Sequence, residues 1–171
     1  LKAIYAFFFD TLQTILIAAS IFLVIYMFIA RPFQVSGQSM NPTFKDQEYI
    51  LTNLIGLRFD HPKRGDVIVF KSPTEENKDF IKRVIGVTGD TVSVKNGKVY
   101  LNGQLLDENQ YLSPDVYTSY GAFMKESTEY TVPPGEYIVL GDNRENSSDS
   151  REWGFLKEKD IIGKSFVVYW P

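Results

Sequence analysis

The chain has no cysteine among its 171 residues, which excludes disulfides, thiol catalysis and cysteine-based zinc sites together. It has one histidine, His61, so a histidine-rich metal site is excluded too, and neither metal nor cofactor is expected. No long basic run exists. Lys and Arg number 18 against 21 Asp and Glu, a net charge of −3, which gives nucleic acid little to hold. No internal repeat and no low-complexity tract is present. About 140 residues lie beyond the N-terminal apolar region, enough for one domain whose core needs no covalent staple.

The chain does have a long uncharged run. Residues 11–30 carry no charge, and about twenty residues at 1.5 Å each cover roughly 30 Å of hydrocarbon. Asp10 and Arg31 bracket the run, and Tyr26 lies near one end, where an interfacial aromatic is at home. A buried core helix would be shorter and show a polar stripe. A cleaved signal peptide needs small residues at −1 and −3, and cutting after Ala30 would place Phe28 at −3. The expectation is an uncleaved transmembrane anchor within residues 1–31, followed by one domain over 32–171. Lys2 and Arg31 nearly balance, so charge does not set the orientation.

Beyond Arg31 the pattern is that of strands. Aromatics make up 15% of the chain, and Val, Ile, Tyr and Phe recur in short runs. Strands are expected over 48–52, 66–71, 80–87, 91–95, 98–101, 136–140 and 164–170. Asn96-Gly97 is a strong hairpin signal, and Asn102-Gly103 marks a second turn. Such close spacing favours an antiparallel barrel or sandwich over βαβ units. Residues 104–134 are polar, Tyr-rich and weakly periodic, and read as an excursion from the sheet.

Three segments carry candidate chemistry. Ser39 lies in Ser36-Gly37-Gln38-Ser39-Met40-Asn41-Pro42-Thr43, where Gly37 permits unusual φ and Pro42 stiffens the exit. Lys82 lies in Phe80-Ile81-Lys82-Arg83-Val84-Ile85, where alternation puts it on one face with Phe80 and Val84, while Arg83 points away. From this strand alone a solvated lysine is the commoner outcome. A lysine buried enough to lose its charge is instead a base for a serine hydroxyl, at a cost of roughly 3–4 kcal/mol for a shift from about 10.4 to 7 or 8. The third segment, Gly141 to Arg151, is dense in groups that cap backbones and form ion pairs. A calcium loop would space its oxygens regularly. Arg144 and Arg151 intrude here, which favours an internally paired network able to hold the lysine in place.

These residues resemble bacterial type I signal peptidase, the membrane-bound leader peptidase. Four blocks in order carry the resemblance: Ser39 to Thr43, Arg64 to Val67, Lys82 to Gly86 with Gly89-Asp90, and Gly141 to Arg151. The resemblance implies a mainly β, antiparallel barrel- or sandwich-like catalytic domain behind a single transmembrane helix, similar to the Gram-positive pattern, with 104–134 a reduced variable region. It implies Ser39 as nucleophile, Lys82 as general base, and the Ser39 N–H in the oxyanion hole. Some relatives place a serine where this chain has Gly37, so the donor completing that hole is open. Ser147 would hydrogen-bond the lysine amine, and Asp149 would brace the region with Arg151 and Arg83 as ion-pair partners. Glu145 stands where many relatives carry Asp. Substrate would lie along Gln34, Val35 and Ser36 on one side and Asp79, Phe80 and Ile81 on the other. The implied partners are secretory preproteins with small residues at −1 and −3, and the lipid bilayer. The implied location is the bacterial cell membrane, with the domain on the extracytoplasmic face. Competing readings are a serine-lysine self-cleaving repressor, a membrane-tethered β domain that binds extended peptides without catalysis, and a hydrolase using His61.

Overall fold

The computed structural model describes residues 2–56 and 60–170, except the side chain of Phe28. Leu1, residues 57–59 and Pro171, which the expected segments include, lie outside it. Helix α1 (Lys2–Val24) buries none of its residues. With the turn that follows, Lys2–Met27 is long and apolar enough to cross a membrane. The helix begins nine residues before the uncharged run, because Tyr5 to Phe9 continue the apolar pattern and Asp10 brackets that run without ending the helix. Its threonine and serine hydroxyls are satisfied internally. Thr11, Thr14 and Ser20 each donate to the carbonyl four residues back, at 2.8 Å, as a polar side chain in lipid must.

The helix widens into a π turn, Ile25–Ile29, and Ala30 is already in strand β1 (Ala30–Gln34). The Leu54 N–H donates to the Ile29 carbonyl at 2.9 Å, so the helix end is tied to the sheet. β1 was not foreseen as a strand because Arg31-Pro32 interrupts its apolar pattern. It lies at a sheet edge, where proline withholds no ladder hydrogen bond.

Seven strands form the main sheet in the order β1-β2-β11-β3-β4-β9-β10. They are β1, β2 (Tyr49–Asn53), β3 (Val67–Lys71), β4 (Asp79–Gly86), β9 (Glu136–Leu140), β10 (Leu156–Lys157) and β11 (Ile161–Trp170). A smaller sheet, β7-β6-β5-β8, comprises β5 (Thr91–Lys95), β6 (Lys98–Leu101), β7 (Gln104–Leu105) and β8 (Tyr130–Thr131). Every ladder is antiparallel, so the architecture is mainly antiparallel β with one N-terminal apolar helix, as expected. Asn96 and Gly97 take φ of +52° and +74°, the left-handed pair a two-residue hairpin requires. The excursion leaves the small sheet through β7 and returns through β8, on opposite sides of that hairpin. The two-residue strands were too short to show a period.

Three buried clusters hold the domain. One lies where the small sheet meets the main one, around Ile85, Val92, Val94, Met124 and Ile138. Another gathers Val35, Met40, Ile50, Val69 and Ile81 behind the Ser39 loop. The third packs Ile68, Phe70, Val84, Val139 and Leu156 on the other face of β3 and β4. β4 is central. It pairs with β3 from Asp79 to Arg83, but β9 joins its other edge only from Arg83 onward. Residues 79–82 therefore keep one edge open.

Candidate active site

The Ser39 loop leaves β1 through Val35, which is buried and exchanges backbone hydrogen bonds with Glu48 and Gln47. Gly37 turns the chain at φ +94°, in the left-handed region that favours glycine. Its N–H is taken by the Asp46 carboxylate at 2.7 Å. Met40, fully buried, anchors the loop in the core. Ser39 is left half-buried, its carbonyl held by the Asn143 N–H at 3.0 Å. Among the described residues the Ser39 N–H has no acceptor, so it is available to an incoming oxyanion.

Lys82 reaches this loop from the middle of β4. Its Nζ lies 2.8 Å from Ser39 Oγ and 2.9 Å from the Ile81 carbonyl, and the residue is 3% exposed. Phe80, on the same face, puts its ring centroid 5.1 Å from the amine. Burial lowers the Lys82 pKa to about 8. Asp149 and Asp142 oppose that shift, and Arg151 adds to it. A dry amine at hydrogen-bond distance from a hydroxyl is an arrangement able to take its proton.

The loops around the pair are tied by buried ions. Arg83 does point away from Lys82, yet it is buried rather than solvated. Its Nε and Nη2 donate to the two oxygens of Asp142 at 2.8 and 2.6 Å, and its Nη1 donates to the Gly65 carbonyl at 2.8 Å. Its partner is thus Asp142, not Asp149. The ladder explains this: Arg83 stands opposite Leu140, two residues before Asp142. Asp149 is occupied by Arg151, at 2.8 Å, and by the Gly141 N–H at 3.0 Å. Ser147 Oγ, expected on the lysine amine, is buried with no hydrogen-bond partner among the described residues. It packs against Gly141, where an added Cβ would collide with both Ser147 Oγ and the Ser39 carbonyl.

The remaining residues fall into place around this frame. Gln34, Ser36 and Asp79 are exposed, Phe80 is half-buried, and Val35 and Ile81 are buried. Glu145 is exposed. His61 is exposed and faces Glu158, 2.5 Å away, while Ser39 Oγ is met by Lys82. Among the described residues no cluster of three or more His, Asp or Glu could hold a metal ion. Arg64 forms a bidentate pair with Asp90, which also accepts from Asn102 and the Val87 N–H, so these motif residues build the turn rather than the pair. Sequence reasoning missed Asp142 as the partner of Arg83, Thr43 and Asn143 as ties to the Ser39 loop, and Glu108 as the partner of Arg144. The first three lie inside motifs that were singled out, but their pairings join distant segments and leave no local pattern.

Similarity to known proteins gives the family. The family described as signal peptidase, peptidase S26, matches residues 8–170. The chain belongs to that family. Signal peptidase IB of Staphylococcus aureus is 37% identical over 169 residues, covering 92% of this chain and 87% of the relative. A probable signal peptidase I-2 from Synechocystis is 38% identical over 165 residues, covering 93% and 72%. A signal peptidase I from Enterococcus faecalis V583, of known crystal structure, is 32% identical with a TM-score of 0.48, over 61% of this chain and 97% of the other. Family membership makes the chain a serine peptidase of the signal-peptidase type.

Proposed function

We propose that the protein is a membrane-anchored endopeptidase that removes signal peptides from exported preproteins by a Ser39/Lys82 dyad. The observation that carries this reading is Lys82, a residue 3% exposed, whose amine lies 2.8 Å from the Ser39 hydroxyl. Neutral Lys82 takes the Ser39 proton as Oγ attacks the scissile carbonyl. The resulting oxyanion is received by the Ser39 N–H. Protonated Lys82 then gives its proton to the departing amine as the C–N bond breaks, leaving an acyl-Ser39 ester. Once neutral again, Lys82 takes a proton from water, whose oxygen attacks the ester; as the acyl C–Oγ bond breaks, Lys82 returns that proton to Ser39 Oγ and the free carboxylic acid leaves.

The substrate is an extended peptide. The edge of β4 at Asp79 to Ile81 is left open by β9, and Val35 shares a buried cluster with Ile81, which supports a peptide lying between this edge and the segment Gln34, Val35 and Ser36. An added strand would send alternate side chains toward the domain, which fits small residues at −1 and −3. Helix α1 is exposed along its length and mostly apolar, so it and the substrate's own apolar helix share one bilayer, which raises their effective concentration. Substrates of this kind are cut after export, so the domain faces the extracytoplasmic side.

The test is cleavage of a signal-peptide substrate in detergent or vesicles by wild type, Ser39→Ala and Lys82→Ala. Both variants should fold and lose at least a thousandfold in kcat/KM. Near-wild-type cleavage by folded Lys82→Ala would remove the base assignment. Labelling of Ser39 by a serine-directed covalent probe separates this enzyme from a non-catalytic peptide binder. Cleavage of a separate substrate separates it from a self-cleaving protein.

A further inference from the structure

Residues 104–134 are the part of the chain with the least regular pattern, yet three guanidiniums of the active-site frame reach into them. Arg83 stacks on Tyr111, its Cζ 4.0 Å from the ring centroid. Arg144 donates to both oxygens of Glu108, at 2.5 and 3.1 Å, and to Thr118 Oγ1 at 2.7 Å. Arg151 donates to the Ser119 carbonyl and hydroxyl, each at 3.3 Å. Tyr111 closes the set, its hydroxyl donating to Glu108 at 2.8 Å. Arg144 is fully enclosed and Glu108 nearly so. Burial weighs most against the Arg144 charge, but Glu108, with Tyr111 and Asp149, offsets it and leaves that pKa raised.

We propose that Glu108 is a positioning residue for the Ser39/Lys82 reaction. It acts through Arg144, so this inference rests on the function proposed above. Arg144 Nε donates to the Gly141 carbonyl at 3.0 Å, and Arg151 donates to the Arg144 carbonyl at 2.7 Å. Between Gly141 and Arg144 lie Asp142 and Asn143, the two residues that grip the Ser39 loop. Asn143 holds the Ser39 carbonyl through its N–H and the Gln38 carbonyl through its side-chain amide, at 3.0 and 3.1 Å. Glu108 is not a hydrogen-bond partner of Ser39 or Lys82. It fixes the guanidinium that fixes the loop that fixes the nucleophile, and the excursion thereby becomes a clamp on the active site. A buried ion pair is seldom retained for stability, because apolar residues of similar volume commonly replace one without loss. That supports a geometric role and supplies its test.

The experiment compares wild type with Glu108→Gln and with the double variant Glu108→Met/Arg144→Met, in the full-length anchored protein. Cleavage of a signal-peptide substrate is measured as kcat per active site, the sites being counted with a serine-directed covalent probe. Thermal unfolding is recorded alongside. The double variant keeps the packing and removes the pair without leaving a bare charge. Expected is a loss of at least tenfold in kcat per titrated site, KM within threefold of wild type, and a cooperative unfolding transition that shows the variant is folded. Glu108→Gln, which retains one acceptor for Arg144, should fall between. If the folded double variant turns over within twofold of wild type per titrated site, the clamp is refuted. So too if Glu108→Gln merely reduces the number of titratable sites while each works at full rate. Failure of wild type itself to cleave the substrate would remove the proposed function, and the clamp with it.

Discussion

Thr43 Oγ1 donates to Asp142 Oδ2 at 2.5 Å, joining the end of the loop that begins at Ser39 to the carboxylate that holds Arg83. Lys82 and Arg83, adjacent on β4, are therefore bound to the two ends of one short loop, Lys82 at Ser39 and Arg83 through Asp142 at Thr43. The separation between hydroxyl and amine is set by this bracket and not by the loop alone.

Removing Asp142 should accordingly do more than lose a hydrogen bond. Asp142→Ala leaves Arg83 buried and unpaired, which costs about 3–5 kcal/mol. Thermal or denaturant unfolding measures it. A loss below about 1 kcal/mol would mean that Arg83 finds another partner and the bracket is not needed.

The rate should depend on pH through Lys82, whose pKa burial lowers to about 8 against the pull of Asp149 and Asp142. The reactive form is the neutral amine, so log kcat/KM should climb with unit slope below about 8 and level above it, with about a hundredfold loss at pH 6. A profile flat down to pH 5 contradicts a lysine base.

The same burial should make Lys82→Met inactive yet more stable. The folded pKa lies below the unfolded value of 10.5, so between about 8 and 10.5 the unfolded chain binds more protons and stability rises with pH. Below about 8 the folded protein carries the full cost of a buried charge, roughly 3 kcal/mol. Lys82→Met should recover about 1–3 kcal/mol of this at pH 7 and abolish the rise above pH 8. Equal or lower stability of the Met variant at pH 7 would show that the ammonium is well solvated after all.

Gly141→Ala is the smallest change expected to damage the site. Its methyl group would meet Ser147 Oγ and the Ser39 carbonyl, so the nucleophile must shift. A displacement of about 1 Å costs on the order of a hundredfold in kcat, readable with steady-state cleavage of a peptide substrate. Turnover within threefold of wild type would show that the loop yields without consequence.

Ser147→Ala should leave stability within about 0.5 kcal/mol of wild type or raise it, because the hydroxyl is buried without a partner. A loss above about 2 kcal/mol in unfolding experiments would show that it is hydrogen-bonded in solution.

The sequence was most legible where chemistry is local. Alternation in Phe80 to Val84 correctly set Lys82 beside Phe80, and Asn96-Gly97 correctly marked a hairpin. It was least legible where a side chain chooses among distant partners. Arg83 had Asp142 and Asp149 both available by composition, and only the register of β4 against β9 decides for Asp142. Glu108 gave no signal, because a carboxylate in a polar, aperiodic stretch looks solvated until the chain folds back onto Arg144. Ser147 was placed in the right loop, but whether its hydroxyl turns to the amine is a matter of rotamer that no pattern encodes.

The passage from α1 into β1 at Ala30 has no slack. A strand of five residues, roughly 17 Å long, leads from the exposed apolar helix to the loop carrying Ser39, and its whole length is laddered to β2. On the proposed function, that stiff link of fixed height above the bilayer adds a distance criterion to the small side chains required at −1 and −3.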